Sequence, residues 1–186
     1  MEQKGTRRIE TERLVLRRFT LDDAETMNKN WASDTEVVKY LTWPAHSSVE
    51  ISKKVIQSWL ENYDKDNYYE WCIELKAIEE AIGSIGVVHT NEDIGSVEFG
   101  YCIGRNFWNQ GITSEALSAL IKFFFEEVKI NRIEARHDPE NPNSGKVMEK
   151  CGLRYEGTRR KADKNNRGIC DVSLYGMLAE DYFHSK

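Results

Sequence analysis

Residues Trp108-Asn109-Gln110-Gly111-Ile112-Thr113-Ser114-Glu115-Ala116 follow directly on an apolar run, Phe99-Gly100-Tyr101-Cys102-Ile103-Gly104. A strand that delivers a small, polar loop into the start of a strong helix has the chemistry of an anion site. The first helical amides have no acceptor inside the helix, and the aligned peptide dipoles put partial positive charge there. Gly111 lets a ligand approach the main chain and opens conformations closed to other residues. The expected ligand is a phosphate or a pyrophosphate. Two common phosphate loops are excluded. No Gly-Lys-Ser/Thr follows a glycine spacer, and there is no Gly-x-Gly-x-x-Gly after a parallel-sheet strand.

The surrounding elements must hold that loop in place. Residues 13–17 alternate charged and apolar about Val15, the pattern of a half-buried strand. Thr20 with Asp23, and Ser47 with Glu50, read as capping boxes of two early helices. The first would bury Ala24, Met27 and Trp31, and the second would present Ile51, Val55, Trp59 and Tyr63 on one face. Strands are predicted over 69–75, 81–89 and 95–104, then a strongly amphipathic helix over 112–128. A strand over 132–137, a helix over 144–150 stopped by Gly152, and strands over 153–159 and 171–178 complete the chain. This order predicts an α/β fold: one mixed, mostly antiparallel sheet with helices on both faces. The whole chain, 1–186, reads as a single domain with a core over about 8–180 and short terminal tails.

Composition narrows the function classes. Among 186 residues, 26 Lys and Arg stand against 31 Asp and Glu, a formal charge of −5. That argues against a protein built to wrap nucleic acid or lie on an anionic membrane. The trio Arg159-Arg160-Lys161 reads as a solvated face, and His137 and Asp138 as surface residues. The 4 Cys contain no Cys-x-x-Cys and the 4 His are scattered, so no metal site is expected. Cys151, before Gly152, reads as core rather than as a nucleophile. The first 12 residues are charged without an apolar stretch, and the apolar run 116–125 is interrupted by Lys122. A soluble, cytoplasmic protein with reduced thiols is expected.

With those phosphate loops excluded, the pyrophosphate of coenzyme A is the remaining reading, and three segments resemble one family. Thr11-Glu12-Arg13-Leu14-Val15-Leu16-Arg17, the loop from Trp108 to Ala116, and Asn141-Pro142-Asn143-Ser144 running on to Glu149-Lys150-Cys151-Gly152-Leu153 are similar, in order, to motifs of the GNAT superfamily of N-acetyltransferases. The branch most resembled is that of the RimJ/RimL-like ribosomal-protein N-terminal acetyltransferases. The resemblance implies acetyl-CoA as cofactor, coenzyme A as co-product, and a sheet splayed between the strand at Gly100 and the strand from Arg132. Main-chain groups of Tyr101, Cys102 and Ile103 would hold pantetheine. Trp108, Asn109, Gln110, Gly111, Ile112, Thr113 and Ser114 would form the pyrophosphate loop, and Asn141 a further contact. Glu98 is the candidate base and Ser144 the candidate acid, because Met148 stands where many relatives carry a tyrosine. Asn109 and Thr113 depart from the usual glycine or alanine, and Asn109 is tolerated there if its backbone is left-handed. The segment carrying Tyr40, Trp43 and His46 would overhang the acceptor. A peptide N-terminus or a small free amine is the implied acceptor, with a homodimer expected by analogy. A non-catalytic acyl-CoA-binding module and an RNA-binding protein are the competing classes.

Overall fold

The computed structural model describes residues 1–184. Its strands are β1 (Ile9–Glu10), β2 (Leu14–Arg17), β3 (Glu70–Leu75), β4 (Glu80–Asn91), β5 (Ser96–Ile103), β6 (Arg132–His137), β7 (Arg154–Asn165) and β8 (Gly168–Leu178). Its helices are α1 (Asp23–Met27), α2 (Thr35–Val38), α3 (Val49–Leu60), α4 (Ile112–Phe123), α5 (Pro142–Lys150) and α6 (Ala179–His184). The strands make one sheet in the order β1–β2–β3–β4–β5–β6–β8–β7.

Strand alternation explains the layers. Trp71, Ile73, Ile82, Ile85, Val97 and Phe99 point to one face, where Leu117, Leu120 and Phe124 cover them. Cys72 and Ala81 point to the other, under Phe19, Met27, Trp31 and Ile56 of the early helical layer. Burying about twenty such side chains at ~1.5–3 kcal/mol each is what holds two helical layers to one sheet.

The feature that positions the site is a change of partner. Every pairing is antiparallel except β5 with β6, which run parallel and pair only from Ser96↔Arg132 to Phe99↔Ala135. Beyond Phe99, β5 stays with β4 as far as Ile103↔Gly83, while β6 follows β8. The sheet therefore splits after Phe99, as the family resemblance implies. Parallel pairing requires the crossover helix α4 between the two strands, and its N-terminus lies at the mouth of the split.

Several local expectations change. The cap of α3 is Ser48, with no side-chain cap bond, and Glu50 turns instead to Lys53 at 2.9 Å. Ser52 and Ile56 are the fully buried residues of α3; Val55 and Trp59 pack against the same cluster as Tyr63 beyond the helix, while Ile51 is exposed at its open end. In the first box only half the reciprocity forms: Asp23 accepts from Thr20 N at 2.7 Å, but the Thr20 hydroxyl donates to Asp23 instead of capping. Asp23 is drawn there by Arg17, which grips its two oxygens at 2.8 Å each and also donates to Glu74. The hairpin β7–β8 runs past its expected ends to Asn165 and Gly168, with register shifts at Tyr155/Gly157 and Arg159/Asp163. Its outer half, Arg159 to Asn165, is polar on both faces, so alternation gave no sign of it. Residues 2–6, expected as a tail, pack as well: Thr6 is buried and its hydroxyl donates to Tyr68 O at 3.0 Å. The last two residues of the expected domain lie outside the described ones.

Candidate active site

A cavity of about 330 Å³ occupies the split. Of the residues expected at a cofactor, Tyr101, Cys102 and Ile103 line it from β5, and Trp108, Asn109, Gly111, Ile112, Thr113 and Ser114 from the loop and the first turn of α4. Asn141 and Ser144 line it from the start of α5. Gln110 does not line it, since its side-chain amide donates to Asn106 O at 2.9 Å. Two lysines on α5, Lys146 and Lys150, line it without having been expected. Their i,i+4 spacing was visible in the sequence, but nothing local showed that this face of α5 turns toward the loop.

The loop has the geometry an anion needs. Asn109 (φ 59°) and Gly111 (φ 73°) are both left-handed, a conformation asparagine tolerates better than most residues. Gly111 is the N-cap of α4, no side chain caps that end, and Glu115 N is the first amide to find a helical acceptor, Gly111 O at 3.0 Å. The amides of Ile112, Thr113 and Ser114 are thus left for a ligand. Trp108 Nε1 donates to Ile103 O at 2.9 Å, tying the rim of the loop to the end of β5.

Behind the loop, Glu115 explains why the Thr11–Arg17 segment belongs with this site. Its carboxylate accepts from Thr11 Oγ1 at 2.6 Å, Arg13 N at 2.9 Å and Arg13 Nε at 2.6 Å, while Arg13 Nη1 donates to Gln110 O at 2.9 Å. Burial pushes the Glu115 carboxyl up, but these donors outweigh it and hold it below the usual carboxylate range. A depressed folded value contributes stability that is present above the unfolded pKa of about 4.3 and is lost as pH falls through the folded value. Glu115→Gln is therefore expected to lower the melting temperature at pH 7 by about 3–8 °C, for a loss of about 1–3 kcal/mol. Melts repeated at falling pH should show wild type and variant converging. A constant gap would place the effect in packing instead.

At the other wall, Ser144 is the third residue of α5, but its hydroxyl caps nothing. Tyr101 Oη lies 3.1 Å from Ser144 Oγ and donates to Ser144 O at 3.0 Å. Burial raises the Tyr101 phenol, so it keeps its proton at neutral pH. Glu98 does not line the cavity. It lies on the stretch of β5 that still pairs with β6 and forms an ion pair with Arg136 Nε at 2.8 Å, with burial pushing its carboxyl up and Arg136 opposing.

The family model described as an acetyltransferase (GNAT) domain matches residues 13–154. The chain belongs to the GNAT acetyltransferase family. It is 34% identical over 172 residues to the uncharacterized N-acetyltransferase p20 of Bacillus licheniformis, covering 92% of this chain and 96% of that one. A ribosomal-protein-serine acetyltransferase of Escherichia coli is 27% identical, with 82% of each chain covered. A GNAT-family acetyltransferase structure from Bacillus anthracis superposes with a TM-score of 0.82 at 29% identity, covering 94% and 99%. The chain is thus an acetyl-CoA-dependent N-acetyltransferase. The residues present fit that donor: an uncapped helix start and two lysines for phosphates, and an unpaired strand edge for an extended, amide-bearing arm.

In this GNAT chain the thiols are bystanders. Burial pushes Cys102 up to about 11 and also raises Cys151, whose Sγ donates to Ser114 O at 3.3 Å beneath the loop. His46, expected to overhang the acceptor, is buried with its Nδ1 2.8 Å from Ser52 Oγ. Of His137 and Asp138, expected at the surface, Asp138 is buried and His137 half-buried. Asp138 accepts from Asn165 Nδ2 at 2.8 Å and so pins the tip of β7–β8, a long-range contact that no local pattern carries. Among the described residues His137 Nε2 has no hydrogen-bond partner, and it lies 2.7 Å from where a Cβ on Gly145 would stand, so glycine gives the ring its room there. No helix among the described residues is long and apolar enough to cross a membrane.

Proposed function

We propose that the chain acetylates the α-amine of a peptide N-terminus, in the manner of the RimJ/RimL-like branch. The observation that carries the transfer reading is the unpaired edge of β5 from Gly100 to Ile103, facing the Ser144 hydroxyl across the split. Main-chain groups of Tyr101 to Ile103 would orient pantetheine as an added strand, and the amides of Ile112 to Ser114 would hold the pyrophosphate, with Lys146 and Lys150 adding positive charge. Bound acetyl-CoA supplies an activated acyl carbon and a thiolate leaving group. Ser144 Oγ, oriented by Tyr101 Oη at 3.1 Å, would hand a proton to the departing sulfur.

The name of the Escherichia coli relative supports a peptide acceptor, and so does the roof of the acceptor side. Asn166 Nδ2, at the tip of β7–β8, donates to Val38 O at 2.8 Å and Trp43 O at 2.7 Å, and Tyr40 Oη donates to Glu140 O at 2.9 Å. A roof tied at both ends favours a slender, extended group. An α-amine also titrates near about 8 rather than the ~10.4 of a lysine, so it asks less of a base. The test is calorimetry with acetyl-CoA followed by free-thiol release across peptides beginning with serine or alanine, polyamines and amino acids. Peptide turnover is expected. Turnover of small amines alone would favour the second acceptor class. Binding without thiol release for any amine would mark an acyl-CoA-binding module.

A further inference from the structure

Phe99↔Ala135 is the last pair of β5 with β6, so Gly100 and Arg136 stand at the apex of the split, and the anion loop follows Ile103 at its open end. A cofactor arm laid along β5 from that loop therefore carries its thioester toward Gly100. Strand alternation puts Glu98, Gly100 and Cys102 on one face. The early helical layer covers that face, because Cys102 packs against it, whereas α4 and α5 cover the other. Tyr101 points the other way and reaches Ser144 on α5. Phosphates held at the start of α4 and a proton donor on α5 leave the face of Gly100 for the incoming amine.

An apolar side chain stands over Gly100 on that face. The pairing of β4 with β5 slips between Val87↔Phe99 and His89↔Glu98, which makes Val88 an extra, bulged residue. A bulge re-aims the side chain it carries. Here it lays Val88 over Gly100: a Cβ on Gly100 would lie 2.8 Å from Val88 Cγ1 and 3.9 Å from its Cβ and Cγ2. Val88 is nevertheless 62% exposed, although β4 is an inner strand. Its surroundings are polar. A Cβ on the neighbouring Gly86 would collide with the Glu70 carboxyl, and Arg136 across the split is ion-paired with Glu98 at 2.8 Å and Asp163 at 3.6 Å. A lone exposed valine needs no explanation. This one is held by a bulge, over a glycine, at the point where the sheet parts.

Resting on the transfer reading above, we propose that Val88 is a specificity-determining residue: it limits the size of the substituent on the carbon that bears the acceptor amine. The nitrogen must come within about 3–3.5 Å of the acyl carbon. With the thioester at Gly100, the carbon behind that nitrogen lies one bond farther out, beside the side chain that covers this glycine. A hydrogen or a methyl group passes Val88, and a longer or branched chain meets its methyl groups. Gly100 takes part by being bare. A methyl group there would push Val88 farther into the path.

The test measures thiol release with glycinamide, alaninamide and leucinamide, and with tripeptides that begin with the same three residues, so it serves either acceptor class. Val88→Ala is expected to raise the leucine-to-glycine ratio of kcat/KM about tenfold, and Val88→Phe to lower the alanine-to-glycine ratio to a similar extent. Gly100→Ala should act in the direction of Val88→Phe, and Val88→Ala should cancel its effect in the double variant, because the two side chains compete for one space. The Kd for acetyl-CoA in both Val88 variants should stay within about threefold of wild type. Ratios unmoved in both Val88 variants overturn the assignment, and so does an equal loss for all acceptors, which a purely structural role would give. A Gly100→Ala effect that survives Val88→Ala undiminished also overturns it. Wild type that binds acetyl-CoA yet transfers to none of these amines, nor to hydroxylamine, overturns the transfer reading itself, and the size filter falls with it.

Discussion

Replacing Ser144 with alanine is expected to lower kcat about 100-fold while acetyl-CoA binding stays within about threefold. The asymmetry follows from where the hydroxyl acts. Ser144 sits on the first turn of α5, its backbone fixed by N–H donation to Asn141 O at 3.1 Å, so losing Oγ leaves the wall of the cavity standing. What disappears is a group needed only as the thiolate departs, so kcat and kcat/KM should fall together. Tyr101→Phe gives the graded control. It removes the phenol oxygen that lies 3.1 Å from Ser144 Oγ and orients it, but not the serine hydroxyl itself, and a neutral hydrogen bond of about 1 kcal/mol corresponds to roughly a fivefold loss. Steady-state thiol release with calorimetry on the same samples separates the two constants. Undiminished turnover in Ser144→Ala would remove Ser144 as the acid.

The parts of this site that could be read from the sequence are those written in local order. Gly111 and the residues around it declare a helix start, and Asn109 fits that loop only because its backbone is left-handed, at φ 59°. The split sheet followed from family resemblance, and its physical cause is the single parallel pair, which ends at Phe99↔Ala135. What stayed hidden depends on residues far apart in the chain. Nothing near Glu98 announces Arg136, 38 positions on, whose guanidinium pairs with its carboxylate. Nothing near Glu70 announces that Gly86 will stand beside it, because register is a property of paired strands and not of one segment. Arg13 and Arg17 read from the sequence as family markers. In the fold each is a clamp, one holding the back of the anion loop through Glu115 and Gln110, the other holding α1 to β3 through Asp23 and Glu74.

Gly111→Val is expected to raise the Kd for acetyl-CoA about 30-fold, and Gly111→Asn no more than about fivefold. The contrast isolates the backbone. A Cβ at this position would meet only Lys150 Nζ at 3.4 Å and Arg13 Nη2 at 3.7 Å, the movable ends of long side chains, so steric exclusion is minor. The residue stands at φ 73°, where an ordinary side chain costs about 1–2 kcal/mol and a β-branched one more, whereas asparagine tolerates it, as Asn109 does two positions earlier at φ 59°. A valine has two ways out. If the loop relaxes, the amides of Ile112 to Ser114 no longer converge, and the strain appears as lost affinity, tenfold for each 1.4 kcal/mol. If the clamp from Arg13 to Gln110 O holds the loop in shape, the strain stays in the folded state and appears as a lower melting temperature of the free protein, with binding preserved. Because Gly111 opens a helix whose first amides have no other partner, the first outcome is the expected one. Calorimetry and an unliganded melt on both variants distinguish them. Equal affinities for valine and asparagine would mean that the main-chain donors of this turn do not grip the diphosphate.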